Sequence, residues 1–218
     1  MPTTRKFADK VMKKRDSRAE DRRARILSAA RQLFTQYGFH ASGVARIAAD
    51  SGVKVGQLYR DFACKEDIVA ELVRADVVEF LDEPALRAAV EARDFALVRA
   101  WIARFLEEDP NDPGSYALFA EMFAEATRND RVGDIMREVD ALVRGNILSA
   151  LDALAPGEER AARRSELADF ILAVGHGVLF RRISDPDVHH AELSRYIGQL
   201  IDSELAKIMQ DPPVNPTR

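Results

Sequence analysis

An all-α fold is predicted for this chain of 218 residues by three observations. Apolar residues recur every three to four positions from Asp21 almost to the C-terminus, and no stretch alternates convincingly with period two. Short runs of Gly, Pro, Asn and Asp separate the periodic segments. Hydrophobic residues make up 47% of the sequence, ample for a real core. No internal repeat or low-complexity block interrupts the pattern.

The elements follow in order. Residues 1–20 hold Arg5, Lys6, Lys10, Lys13, Lys14, Arg15 and Arg18 with too few apolar residues to pack, and are read as a flexible basic arm. From Asp21 to Tyr37 the residues Ile26, Leu27, Ala30, Leu33, Phe34 and Tyr37 define a first helix, which Gly38 stops. Ser42 caps a second, which carries Val44, Ile47 and Ala48 inward. A third runs from about Val55 to Phe62, and Lys65 opens a fourth that reaches about Leu81. Further helices are expected near 84–92, 94–108, 114–128, 132–154, 158–183 and 189–209, about nine to ten in all. Asp94, the DPNDPG run at 109–114, Asn129-Asp130, Pro156-Gly157 and Asp185-Pro186 separate them. The expected divisions are the arm 1–20, a first domain 21–68, a second helical domain 69–210 and a frayed tail 211–218.

Residues 42–66, SGVARIAADSGVKVGQLYRDFACKE, carry the most specific information. Small Ala48 permits close approach of the following helix, Gly52 can adopt the left-handed conformation that ends the second helix, and Val53 and Leu58 fill the corner. Two short helices crossing in this way form a unit that places its second helix in the DNA major groove.

The net charge of −4 at first argues against a polyanionic partner, but it is unevenly divided. Residues 1–76 carry 16 Lys/Arg against 10 Asp/Glu, and the remainder 16 against 26. A basic face joined to an acidic body is the balance expected of a nucleic-acid binder. The arm is either a solvated leader or a second contact to DNA.

Other classes fare poorly. The single cysteine, Cys64, rules out an intrachain disulfide and a cysteine-rich zinc site. No apolar run approaches the roughly 20 residues of a membrane span, and no signal-like segment opens the chain, so a cytoplasmic protein without membrane contact is expected. His40, His176, His189 and His190 lack metal-ligand spacing, and neither a phosphate-cradling glycine loop nor a Gly-x-Ser-x-Gly elbow occurs. Neither enzyme activity, metal nor cofactor is expected.

Leu58-Tyr59-Arg60-Asp61-Phe62 followed by Lys65-Glu66 resembles the L-Y-x-x-F-x-x-K-E signature of TetR/AcrR-type transcriptional regulators. Val44 to Val53 resembles the same family's V-x-x-I-A-x-x-x-G-V. The detailed resemblance covers about residues 22–70. It implies a helix-turn-helix domain followed by a helical-bundle domain for ligand binding and dimerisation, and a homodimeric repressor that a small-molecule effector releases from a palindromic double-stranded operator. Ser42 and Gly43 then approach phosphate; Lys54, Val55 and Gln57 face base edges, with Gln57 able to pair adenine and Lys54 guanine or phosphate. Gly56 lets the backbone come close to DNA, and Tyr59, Arg60 and Lys65 reach phosphates. Val55 departs from a frequently polar position and could meet a thymine methyl. Cys64 replaces a common capping serine, and beside Lys65 at a helix start its thiol pKa could fall. Alternatives are a regulator of this type controlled by a partner protein or acting as an activator, and a helical interaction protein without DNA binding, which Asp61 and Val55 on the reading helix would suit.

In the second domain, Trp101, Phe105, Phe119, Met122, Phe123, His176 and Phe180 are the candidate effector lining, although aromatics at helical spacing also simply fill a bundle. Gly175 and Gly177, flanking His176, cost about 1 kcal/mol each inside a helix, which points to close helix crossing or to space for a ligand. Leu167, Phe170, Ile171, Val174 and Val178 form one apolar stripe. Leu193, Tyr196/Ile197, Leu200/Ile201, Leu205 and Ile208 form another. The two helices either pack only on the parent core or pair with a second copy into a four-helix bundle; Phe170, Ile171, Val174, Val178, Tyr196, Ile197, Leu200 and Ile201 are the expected interface.

Overall fold

A computed structural model describes the backbone of residues 3–107, 113–185 and 190–210, and the side chains of 17–107, 116–185 and 190–210. Most of the expected 109–114 connection, Pro186, His189 and the tail 211–218 lie outside the described residues. The described residues form ten α-helices, as the periodicity predicts, and two 3-10 turns. They are α1 (Thr3–Ala41), α2 (Val44–Asp50), α3 (Val55–Asp61), α4 (Lys65–Leu81), α5 (Glu83–Glu91), α6 (Phe95–Ala103), α7 (Pro113–Ala126), α8 (Asp130–Leu154), α9 (Ala161–Ser184) and α10 (His190–Gln210). None of these helices is long and apolar enough to cross a membrane.

Helix α1 differs from expectation at its start. Its backbone begins at Thr3, not near Asp21. Residues 3–20 contain neither Gly nor Pro, and Lys, Arg, Ala and Glu are strong helix formers. Propagation from a packed helix needs one hydrogen bond per residue and no apolar face of its own, so low hydrophobicity did not preclude it. The basic side chains from Arg5 to Arg15 lie outside the described residues. At the other end, Gly38 breaks the helix with φ 80° and ψ 164°, a left-handed conformation that suits glycine.

Two compact units emerge. The first comprises Met1–Asp76 and Ala117–Met136. Its core is built on Ile26, Ala30, Leu33 and Phe34 of α1, Ile47 and Ala48 of α2, Leu58 of α3, Ile68, Leu72 and Val73 of α4, and Leu118 and Met122 of α7. It thus takes in residues 69–76 and 117–136, which sequence reading assigned to the second domain.

The second unit comprises Val77–Tyr116 and Arg137–Arg218. Asp94 caps α6 by accepting from the Leu97 N–H at 3.1 Å. Helix α6 is shorter than expected, because the chain tightens into a 3-10 turn at Arg104–Leu106. Val98, Trp101, Ile102, Leu151, Leu167, Ile171, Ile201 and Leu205 form the buried layer. The Trp101 indole N–H donates to the Leu81 carbonyl, so this aromatic is both packed and satisfied.

Candidate nucleic-acid interface

The corner between α2 and α3 has the geometry that its residues require. Gly52 takes φ 65°, and the next N–H, of Val53, donates back to the Ala48 carbonyl at 2.9 Å. The buried Ser51 hydroxyl donates to the same carbonyl at 3.0 Å. Val53 and Leu58 are buried, and Leu58 wholly so. Arg25 of α1 donates to the Ser51 carbonyl at 3.2 Å and steadies the turn from behind.

With Leu58 inward, the opposite face of α3 is open. Lys54, Val55, Gly56, Tyr59 and Arg60 are exposed. Val55 and Tyr59 leave 42% and 51% of their surface to solvent. An ideal Cβ at Gly56 would meet nothing within 4 Å, so packing within the chain does not require a glycine there. The same is true of Gly43, the extended residue before α2. Gln57 is half-buried, and its side-chain oxygen accepts from the Lys54 N–H at 3.4 Å, a long contact.

Ser42, Lys65, Cys64 and Asp61 depart from their expected roles. Ser42 neither caps α2 nor faces outward. It is 0% exposed, and its hydroxyl donates toward the Gly38 carbonyl at 2.8 Å and the Leu33 carbonyl at 3.0 Å. The hydroxyl has one proton to give, so it serves these two carbonyls by turns and ties the residue before α2 to the last turns of α1. Lys65 is half-buried, with its ammonium donating to the Phe39 carbonyl at 2.6 Å and lying 4.0 Å from the Phe39 ring centre. Burial pushes its pKa down. Its first role is therefore to hold α4 against the end of α1. Burial pushes the Cys64 thiol pKa up, and the adjacent Glu66 and Asp67 push the same way, opposed only by a main-chain hydrogen bond. The expected depression by Lys65 does not occur. Asp61, which seemed ill-suited to a DNA-reading helix, receives both Nε and Nη2 of Arg22 at 2.5 and 2.7 Å. That pairing holds its carboxyl below the usual range.

The end of α1 is also gripped from α7, a feature that sequence reading missed. The Glu121 carboxylate accepts the Phe39 N–H at 2.7 Å, one residue past the kink. Glu125, one turn on and almost wholly buried, meets Arg128 at 2.7 Å and His40 Nε2 at 2.9 Å. Asn129 donates to Glu66 at the start of α4 at 3.2 Å, and Arg131 pairs with Asp67. The only sequence signal was the i, i+4 spacing of Glu121 and Glu125, which an exposed helix face shares.

The effector candidates do not all converge. Phe119, Met122 and Phe123 belong to the first unit, where Met122 is sealed core and the two phenylalanines are half-buried. In the second unit Trp101 packs edge-on against Phe105 with centroids 5.2 Å apart, and Phe80 also packs edge-on against Phe105 at 5.0 Å. His176 is half-buried, and burial lowers its pKa against a smaller opposing pull from Asp140. Phe180 is exposed. Gly175 faces the Phe105 backbone, but its ideal Cβ would stand 3.6 Å from the Phe105 carbonyl oxygen, an ordinary contact, so the crossing there does not demand a glycine. A cleft of about 260 Å³ lies between α6 and α10, lined by Ile102, Leu106, Ile201, Leu205 and the paired Arg99 and Asp202. None of the expected lining residues borders it.

The expected dimer residues divide into two sets. Ile171, Val178, Ile197 and Ile201 are buried in the chain's own core, which corrects their assignment to an intermolecular face. A stripe wider than 100° has two edges, and periodicity does not say which neighbour each edge meets. Phe170, Tyr196 and Leu200 are exposed, Tyr196 at 61%, and Val174 is half-buried. Gly177 is also exposed, with nothing within 4 Å of its ideal Cβ.

Fold and site together define a helix-turn-helix protein whose second unit is a helical bundle. Comparison with known sequences identifies the family. A family model for bacterial regulatory proteins of the tetR family matches residues 26–72, and one for the C-terminal part of BetI-type transcriptional repressors matches residues 95–209. The chain belongs to the TetR family of bacterial regulatory proteins. It is 28% identical over 127 residues to the HTH-type transcriptional regulator UidR of Escherichia coli K12, a match covering 58% of this chain and 63% of the relative. With the activator FasR of Mycolicibacterium smegmatis it shares 29% over 104 residues, covering 47% of each chain. The chain thus spans less than two thirds of the length of these relatives. Among solved structures, Salmonella enterica GusR matches with a TM-score of 0.63 and 25% identity, covering 87% of this chain and 96% of that one. A TetR-family structure from Rhodococcus sp. matches at 0.70 with 20% identity, covering 85% and 99%, a likeness of fold. Among the described residues no group of three or more His, Cys, Asp or Glu could hold a metal ion.

Proposed function

We propose that the protein is a homodimeric, sequence-specific DNA-binding transcriptional regulator, and that a small molecule releases it from its operator as a repressor. One observation carries the DNA-binding reading. Helix α3 is anchored by buried Leu58 and presents Val55, Gly56, Tyr59 and Arg60 together to solvent. Apolar Val55 suits a thymine methyl, Gln57 an adenine edge, and Lys54, Tyr59 and Arg60 suit phosphates. Exposed Gly43 lies where α2 begins, and phosphate favours such helix starts. Lys65 contributes chiefly by holding the corner of α1, and Ser42 does so from inside.

Dimerisation is supported by the exposed Phe170, Tyr196 and Leu200 and by the open surface at Gly177. Doubling a short reading unit raises affinity and imposes a palindrome. An effector acts by linkage: it lowers operator affinity to the extent that it prefers the conformation that fits DNA poorly. Trp101, Phe105 and His176 remain the best candidates for contact with it. The activator FasR is the observation that favours a second reading, in which the same DNA head raises transcription.

Selection of bound sequences from a random duplex pool tests the proposal. A palindrome with half-sites spaced for successive major grooves is expected, and retardation should weaken steeply with salt. No retardation of any duplex at low salt would overturn the DNA-binding reading. A promoter–reporter fusion carrying the selected site then separates repression from activation.

A further inference from the structure

Helix α3 has only seven residues, too few to be stable alone, so its direction depends on what holds its two ends. The turn at Gly52 and Val53 holds the first. The second is held from α1, across nearly 40 residues of sequence, by two consecutive arginines.

Arg22 presents its planar fork to Asp61, with Nε 2.5 Å and Nη2 2.7 Å from the two carboxylate oxygens. Arg23 Nη1 donates to the main-chain carbonyl of the same Asp61 at 2.8 Å. That carbonyl closes the helix and has no helical donor. The Arg23 guanidinium also lies 4.4 Å from the ring centre of buried Phe62, and its Nη2 pairs with Glu71 of α4. The Asp61 side chain is only 10% exposed. A bidentate pair fixes orientation as well as distance, which a lysine in either place would not do.

We propose that Arg22 and Arg23 are positioning residues for DNA reading, a bracket that sets the angle of α3 through Asp61 and Phe62, and that neither is a phosphate contact. The inference rests on the DNA-binding reading above. It also reassigns part of the basic balance of residues 1–76, since these two cations are turned to the chain's own acids. A bracket at the far end of a two-turn helix acts as a lever. A small rotation at Asp61 displaces Val55 and Gln57 relative to the base edges, whereas phosphate contacts through flexible cationic side chains tolerate it.

The test compares the full-length wild-type protein with Arg22→Gln, Asp61→Asn and the exchanged pair Arg22→Asp/Asp61→Arg. Affinity is measured by fluorescence anisotropy for the duplex that the wild type selects from a random pool and for a scrambled duplex, over a range of salt. The bracket predicts that Asp61→Asn lowers the selected-to-scrambled ratio about tenfold, the scale of one misplaced bidentate base contact. It predicts that Arg22→Gln does the same without changing the slope of log affinity against log salt, and that the exchanged pair restores the ratio at least in part. A ratio unchanged in both single variants would overturn it. So would a salt slope reduced by about one in Arg22→Gln, the mark of a lost phosphate contact. Thermal unfolding of the same samples identifies the folded fraction; a lower melting temperature with a wild-type ratio means a merely structural role and also refutes the bracket. If the wild type itself selects no sequence, the DNA-binding reading fails and takes the bracket with it.

Discussion

Replacing Gly56 with alanine should make the protein more stable and a poorer DNA binder. Gly56 is the second residue of α3, and its φ lies outside the left-handed region. A methyl group at this position would touch nothing, since no heavy atom lies within 4 Å of the ideal Cβ. The substitution therefore costs no strain and removes backbone freedom from the unfolded chain, which stabilises by about 0.4–1 kcal/mol. Urea unfolding should show a higher midpoint at constant slope. Packing within the chain does not call for a glycine here, whereas the proposed close approach of the helix backbone to DNA would. Affinity for the selected duplex should fall about tenfold or more as the new methyl group holds the helix off the groove, while the scrambled duplex is affected less. If Gly56→Ala stabilises the fold and leaves operator affinity unaltered, the close-approach argument is refuted. If it destabilises, the geometric argument at this residue is refuted instead.

Three further outcomes are expected. Ser42→Ala should destabilise by about 1 kcal/mol, because the one hydroxyl donor shared by the Leu33 and Gly38 carbonyls is lost; the folded fraction should bind DNA with wild-type affinity, and a specific loss of binding would restore Ser42 to the interface. The Asp61 carboxyl titrates lower in the folded chain than in the unfolded one because of Arg22, so its stabilisation is present above the unfolded pKa of about 4 and is lost as pH falls through the lower folded value. Wild type should accordingly lose more stability than Asp61→Asn between pH 7 and pH 3 in urea unfolding, and parallel losses would contradict the pairing. Leu200→Glu should yield a folded monomer by sedimentation, whereas Ile197→Glu should unfold the chain by burying an unpaired charge; equal behaviour of the two would contradict the division of the α10 stripe.

Much of the fold was legible because it depends on short-range properties. The 3.6-residue period located the helices to within a few residues at most ends. The start of α1 was missed because hydrophobicity was used where helix propensity decided. At the candidate site, Gly52, Val53 and Leu58 were readable because turn chemistry needs those residue types in that order. Ser42 and Lys65 were harder. A serine before a helix and a lysine at a helix start look the same in sequence whether they face DNA or a kinked backbone. The carbonyls that engage them, of Leu33, Gly38 and Phe39, are brought within reach only by the folded chain.

The sequence alone determined an all-helical chain with a helix-turn-helix, a basic first third and two amphipathic C-terminal helices, since spacing, glycine placement and charge are properties of neighbouring residues. Tertiary structure decided the partners of the charged side chains and the direction of each stripe. Arg22 and Arg23 are only two of the basic residues of 1–76 until they meet Asp61, and Asp61 looks like a liability until it meets them. Residues 117–136 fall in the first unit, where the Glu121 carboxylate accepts the Phe39 N–H from some 80 residues away. Such pairings depend on long-range contacts and on the competition of each buried polar group for a partner, and neither is encoded in local spacing.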